Sequence, residues 1–178
     1  MLTLGRLDAR ERQKGMDELI DLLPRLLDEQ PDLCLLIAGE GDDRLRLESK
    51  VLAAGLQAAV RFTGRVPEVE KADHYRLCDV FSMVGRQEGF GFVFLEAMAC
   101  GIPVVASLRD GSREAVRDGA MGQLADPDDP DSLQSAILTA LRQPRGIPEG
   151  LDFFAFPQFC ARLTDLMDSM MTVRGFTQ

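Results

Sequence analysis

Histidine, paired cysteine and long apolar runs are what this chain has least of, and each shortage removes a class of function. Its one histidine, His74, falls in a short polar stretch that reads as surface helix. Cys34, Cys78, Cys100 and Cys160 form no Cys-x-x-Cys pair and no zinc-type spacing. They read as reduced core thiols of a cytosolic protein. No apolar run approaches the roughly 20 residues of a membrane-spanning helix. The opening MLTLGRLDAR is not a signal peptide. Internal repeats and low-complexity segments are absent. Positive charge is scarce too, with 20 Lys and Arg against 29 Asp and Glu for a net charge of −9. That balance argues against nucleic acid or an anionic membrane as a partner for the domain as a whole. A polyanionic ligand would need a local basic pocket set in an acidic surface.

What remains is an ordinary soluble domain. At 178 residues, 46% hydrophobic and 28% charged, the chain is long enough to bury a real core. Strand and helix signals alternate along it. Short apolar runs at 1–4, 33–39, 60–63, 79–84, 103–107 and 122–125 read as strands, most of them unbroken rather than alternating. Helical periods fall at 17–29, 42–54, 68–77, 92–100 and 130–141, with a possible turn at 113–116. The segment QPRGIPEG, 143–150, reads as a linker, and 157–171 as a closing amphipathic helix. The strand at Met1 begins without a lead-in turn, as in a piece cut from a longer parent. This pattern predicts an α/β fold, a Rossmann-like parallel sheet with helices on both faces. Such sheets bind ligands beyond the carboxyl ends of strands, where the winding reverses. The loops after the first, fourth and fifth strands should therefore converge, bringing Arg6 and Lys14 to Glu88–Gly91 and to Asp110–Ser112.

The stretch EGFGFVFLEAMACGIPVVAS, 88–107, carries the most chemistry. Phe92 to Cys100 is apolar except for Glu96, and Gly101 and Pro103 close it. This suits a buried helix, apolar on all sides, with a left-handed cap. A lone carboxylate on such a helix is costly to bury. Either Glu96 meets an internal cation, or it lines a site where a ligand supplies hydrogen-bond donors. Gly89 and Gly91 favour the second reading, since they let a ligand approach the backbone next to a helix N-terminus suited to anions. Glu88 and Glu96 could equally be a helix-capping acid and a structural ion-pair partner. Arg6 and Lys14 read either as solvated loop charges or as two cations facing a diphosphate, with Arg10 and Arg12 as substitutes in the same loop. In AGEGD, ending at Asp42, Arg44 occupies the place of a dinucleotide fingerprint's third glycine, which argues against hydride transfer.

Two glutamates with seven residues between them, followed by AMACGIPVVAS, resemble the signature of the retaining family-4 glycosyltransferases. GRL at 5–7, KG at 14–15, AGEGD, RFTGRV at 61–66 and DGSREAVRDG at 110–119 sit in that family's order. The likeness covers nearly the whole chain, 1–178, and only the family's C-terminal, donor-binding half. It implies one half of a two-domain GT-B architecture, with the acceptor-binding N-terminal half absent from this sequence. It further implies a nucleoside-diphosphate sugar as donor, with no cofactor and no metal. By the resemblance, Glu96 takes the ribose hydroxyls and Glu88 sits near the sugar. The backbone of Gly89, Phe90, Gly91, Phe92 and Val93 approaches sugar and phosphates, and Arg65 and Val66 receive the nucleobase edge. The bland alternative for 64–66 is a strand-ending turn. Arg6 and Lys14 would offset the charge of the departing diphosphate. Val84 and Gly85 stand where the family carries a proline–serine pair, a departure that bears on the loop's rigidity. The parent enzyme reads as cytoplasmic or peripheral at the membrane. A nucleotide-binding fragment without turnover would account for the same residues, and a nucleotide-sugar epimerase of the same fold would need further acid/base groups that this sequence does not show.

Overall fold

The computed structural model describes residues 1–173; residues 174–178, the tail of the expected 157–178 segment, lie outside them. The chain divides into two compact units, meeting between Ile147 and Pro148, inside the 143–150 stretch. The first unit carries a six-stranded sheet: β1 (Leu2–Leu4), β2 (Leu35–Ala38), β3 (Val60–Gly64), β4 (Phe81–Ser82), β5 (Val104–Ser107) and β6 (Gln123–Ala125). Their order is β3-β2-β1-β4-β5-β6, and every pairing is parallel. The chain therefore steps outward from β1 to β3, then returns to β1's other side for β4. The winding reverses between β1 and β4, and the loops beyond their carboxyl ends flank that crevice. Every strand but β3 is shorter than its apolar run, because only part of each run finds a ladder partner, whereas β3 extends one residue further, to Gly64, which pairs with Ala38.

Between the strands lie α1 (Met16–Glu29), α2 (Arg44–Ala53), α3 (Lys71–Arg76), α4 (Phe92–Ala99), α5 (Ser112–Ala115) and α6 (Pro130–Arg142). The helical period of α1 buries Met16, Leu19, Ile20, Leu22, Leu23 and Leu26 against β-strand residues such as Leu35 and Ile37. That packing carries the helix through Pro24. Fully burying an aliphatic side chain of this kind contributes about 1.5–3 kcal/mol, so the core outweighs one missing helical hydrogen bond. Cys78 is buried in the core, as expected, which pushes its thiol up to about 11, whereas Cys34, Cys100 and Cys160 are only partly buried, which corrects the reading of all four as core thiols.

Two loops are laced together at the crevice. Gly5 N donates to Ala38 O (3.0 Å), Leu7 N to Glu40 O (2.9 Å) and Asp43 N to Leu7 O (2.9 Å). A Cβ on Gly39 would come within 1.8 Å of Gly5 O, and one on Gly41 within 2.0 Å of Leu7 O. The glycines of AGEGD thus serve the close approach of two backbones. Behind them, Arg46 bonds Asp17 of α1 and the buried Asp43.

In the second unit a 3-10 turn at Leu151–Phe154 precedes α7 (Phe156–Val173). Arg162 caps that turn by donating to Phe153 O (2.7 Å), with its guanidinium over the Phe153 ring. Leu163, Leu166, Met167 and Met170 of α7 are exposed. Among the described residues, no helix is long and apolar enough to cross a membrane.

Candidate functional site

The loops after β1, β4 and β5 meet at the crevice, and backbone hydrogen bonds hold them there. Arg86 N donates to Gln13 O (2.8 Å), tying the β4 loop to the β1 loop. The Arg86 guanidinium binds Glu18 and Asp128, anchoring the stretch that lacks the proline–serine pair. Asp110 organises the other side. Its Oδ2 accepts from Glu88 N (3.1 Å), while its Oδ1 accepts from Ser112 N (3.0 Å) and Ser112 Oγ (2.5 Å). Gly111 N donates to Glu88 O (2.8 Å). A Cβ on Gly111 would lie 2.1 Å from Gly89 O, so the β5 loop presses directly on the glycine-rich turn.

Arg6, Lys14 and Glu88 are joined through a residue the sequence did not single out, Glu11. Arg6 Nη2 lies 2.5 Å from Glu11 Oε1, and Lys14 Nζ lies 3.6 Å from Glu11 Oε2. The same ammonium lies 3.8 Å from Glu88 Oε2. Arg10 instead pairs with Asp8, and Arg12 with Asp43. Neither substitute takes part in this cluster.

Glu96 meets both a cation and a phenol. Lys71 Nζ lies 3.1 Å from its Oε1, and Tyr75 Oη donates to its Oε2 (2.8 Å). The internal partner left open by the sequence is therefore present, and it is Lys71. Burial opposes the Lys71 charge, but its bonds to Glu96 and Glu68 prevail and raise its pKa. Burial, reinforced by Glu96, raises that of Tyr75, so its hydroxyl stays a donor.

The helix carrying Glu96 is not buried on all sides, which corrects the expectation. Phe94, Ala97 and Met98 of α4 are buried, but Phe92 is 71% exposed, and the Glu96 side chain keeps 34% of its surface. The physical reason is position: the helix begins at the crevice rim, and only one flank packs on the sheet. The N-cap of α4 is Gly91, with no side-chain cap bond, so Glu88 is not a capping acid. Phe90 and Phe92 pack edge to face, 5.3 Å apart. Apart from its chain neighbours, no described residue comes within 4 Å of where a Gly89 Cβ would stand, and Val93 is half-buried.

A cavity of about 430 Å³ opens beside this cluster, lined by Gly5, Arg6, Gly39, Glu40, Arg65, Val66 and Lys71. Arg6 therefore borders both the Glu11–Lys14–Glu88 cluster and the cavity, and Lys71 connects the cavity to Glu96. The arrangement offers two cations and a helix N-terminus to an anion. Farther along, a part-exposed carboxylate is available to hydroxyl groups. Lys71 and Tyr75 escaped the sequence reading because they precede Glu96 by 25 and 21 residues, a separation that obeys no local spacing rule.

Residues 1–150 match the family described as "Glycosyl transferases group 1". The chain is 46% identical over 140 residues to the phosphatidyl-myo-inositol mannosyltransferase of Mycobacterium tuberculosis, covering 78% of this chain and 35% of that protein. It is 35% identical over 189 residues to a GDP-mannose-dependent alpha-(1-6)-phosphatidylinositol monomannoside mannosyltransferase of Mycolicibacterium smegmatis, covering 98% of this chain and 49% of that one. Among solved structures, sucrose-phosphate synthase from Thermosynechococcus elongatus superposes with a TM-score of 0.76 at 27% identity, covering 97% of this chain and 46% of that one. Anabaena HepE in complex with UDP gives a TM-score of 0.73 at 25% identity, covering 97% and 48%. The chain thus spans about a third to a half of the length of these relatives.

Proposed function

Given that this chain belongs to the glycosyl transferases group 1 family, we propose that it is the donor-binding half of a retaining, metal-independent glycosyltransferase. The substrate in this reading is a nucleoside-diphosphate sugar, and the reaction is transfer of the glycosyl group to a hydroxyl acceptor. The observation that carries it is the cluster at the β1/β4 reversal, where Arg6, Lys14 and Glu88 gather beside a cavity that leads to Glu96. The diphosphate lies against Arg6, Lys14 and the α4 N-terminus, where cationic donors offset the leaving group's growing charge. Glu96 accepts the ribose hydroxyls, and Arg65 and Val66 border the base. Glu88 and the amides of Phe90–Val93 orient the sugar. The named activities of the two mycobacterial relatives support mannose as the sugar, GDP as its carrier and a membrane lipid as acceptor. An enzyme with such an acceptor works peripherally at a membrane surface.

Calorimetric titration with GDP, UDP and ADP tests this reading. At least one should bind, with GDP favoured, and Glu96→Gln should weaken it by about 1.5–3 kcal/mol for the charged hydrogen bond lost. No binding of any diphosphate, or unchanged affinity in Glu96→Gln, would remove the proposed site.

A further inference from the structure

We infer that Glu11 is an internal competitor for the diphosphate, holding the place of an anion between Arg6 and Lys14 when the site is empty; this rests on the donor-binding reading above. The geometry is that of a two-point anion. One carboxylate oxygen of Glu11 faces the Arg6 guanidinium at 2.5 Å and the other faces the Lys14 ammonium at 3.6 Å. A diphosphate held by the same two cations would occupy the same space.

The two ends of this contact are unequal. The Arg6 end is a short charged hydrogen bond on an exposed side chain, 71% open to solvent, where water can replace the partner cheaply. The Lys14 end lies beyond hydrogen-bond distance, and Glu11 Oε2 is buried there with no hydrogen-bond partner. A buried carboxylate oxygen left in that condition is costly. Lys14 also stands beyond hydrogen-bond distance of Glu88, so it is charge-balanced yet keeps donors for an incoming oxygen. Glu11 therefore neutralises both cations but hydrogen-bonds only Arg6, leaving Lys14 unsatisfied.

Charge then forces a rearrangement on binding. Arg6, Lys14, Glu11 and Glu88 sum to zero in the empty site. A diphosphate entering that space meets a carboxylate a few ångströms away, so Glu11 has to leave the cations. Its place in the chain permits this. Glu11 precedes the three-residue 3-10 turn Arg12–Lys14, and its side chain makes no capping bond to that turn. Its backbone is fixed separately, by donation to Asp8 O (2.8 Å). The side chain can then swing while the loop keeps its path. Swinging back helps the spent diphosphate depart, so Glu11 tunes both capture and release.

The test is titration of wild type, Glu11→Gln and Glu11→Ala with GDP, UDP, the matching free nucleosides and inorganic pyrophosphate. Removing the carboxylate should tighten the diphosphate that binds wild type, and pyrophosphate, by about three- to thirtyfold, the scale of one like-charge contact at a protein surface. The nucleosides should be unaffected. The gain should vanish in the Arg6→Ala/Glu11→Gln double variant. Unchanged or weaker diphosphate binding in both Glu11 variants would overturn the inference and make Glu11 an organiser of the cations. If wild type binds none of GDP, UDP and ADP, the donor-binding reading itself fails, a result separable from failure at Glu11.

Discussion

Four charged side chains with a claim to the ligand, Arg6, Lys14, Glu88 and Glu96, already have partners inside the protein. Glu96 shows what that means for a single side chain. One of its oxygens is committed to the Tyr75 hydroxyl, which is almost wholly buried, while the other meets Lys71 at the edge of the cavity. The first contact orients the carboxylate; the second is the one a ribose diol would exchange with. Tyr75→Phe should leave Glu96 Oε2 without its donor and lower stability by about 1–2 kcal/mol, measured as a urea midpoint shift. It should also weaken a nucleoside diphosphate several-fold, while a dideoxyribose analogue, having no hydroxyls for Glu96, should lose little. An equal loss for both ligands would mean that Tyr75 supports the fold and not the orientation of Glu96.

Between elements, a network of charged hydrogen bonds joins α1 to α2. Asp17 lies between Arg46 and Lys50, and hydrogen bonds from Arg46 first, then Lys50, lower its pKa from 3.8 to about 2. The direction fixes the pH window. A carboxylate with a depressed folded-state pKa stabilises the native state fully above its unfolded value, near 4. That stabilisation drains away as pH falls toward 2. The Asp17 side chain is only 25% exposed, so its contribution is about 2 kcal/mol. Asp17→Asn should flatten stability against pH between about 4 and 2, read from denaturant unfolding at several pH values. A slope as steep as wild type's would assign acid sensitivity to other carboxylates. The same ties matter for the site, because Arg46 also grips Asp43, whose backbone holds the β1 loop at Leu7 O.

On the scale of the whole molecule, the chain supplies about a third to a half of the length of its relatives, and with it one wall of the proposed cleft. Transferases of the kind it resembles place the acceptor hydroxyl and exclude water by closing a second wall over the donor. The chain on its own should therefore bind donor nucleotide with modest affinity and transfer no sugar. The exposed Leu163, Leu166, Met167 and Met170 of α7 offer an apolar face that we propose such a second half covers. Incubating the chain with labelled GDP-mannose and a panel of alcohol and lipid acceptors measures this. Product formed well above the rate of donor hydrolysis would show that one half suffices.

The local pattern of residues was enough for the outline. Unbroken apolar runs between helical periods specify a parallel sheet covered on both faces, because such strands have no polar face to give to water. A glycine-rich turn before an apolar helix carrying one carboxylate marks the crevice, although Lys71, Tyr75 and partial exposure already offset the cost of that carboxylate. The partners of those residues depended on the fold. Lys14 faces Glu88 because β1 and β4 are neighbours in the sheet, although the third strand precedes β4 in the chain. Lys71 and Tyr75 reach Glu96 because α3 lies beside α4. Glu11 reads in the sequence as one more charge in a charged loop, and only the path of that loop sets it between two cations. Periodicity and turn chemistry are local, so they survive in the sequence. Charge pairing across a crevice depends on strand order, which the tertiary structure alone decides.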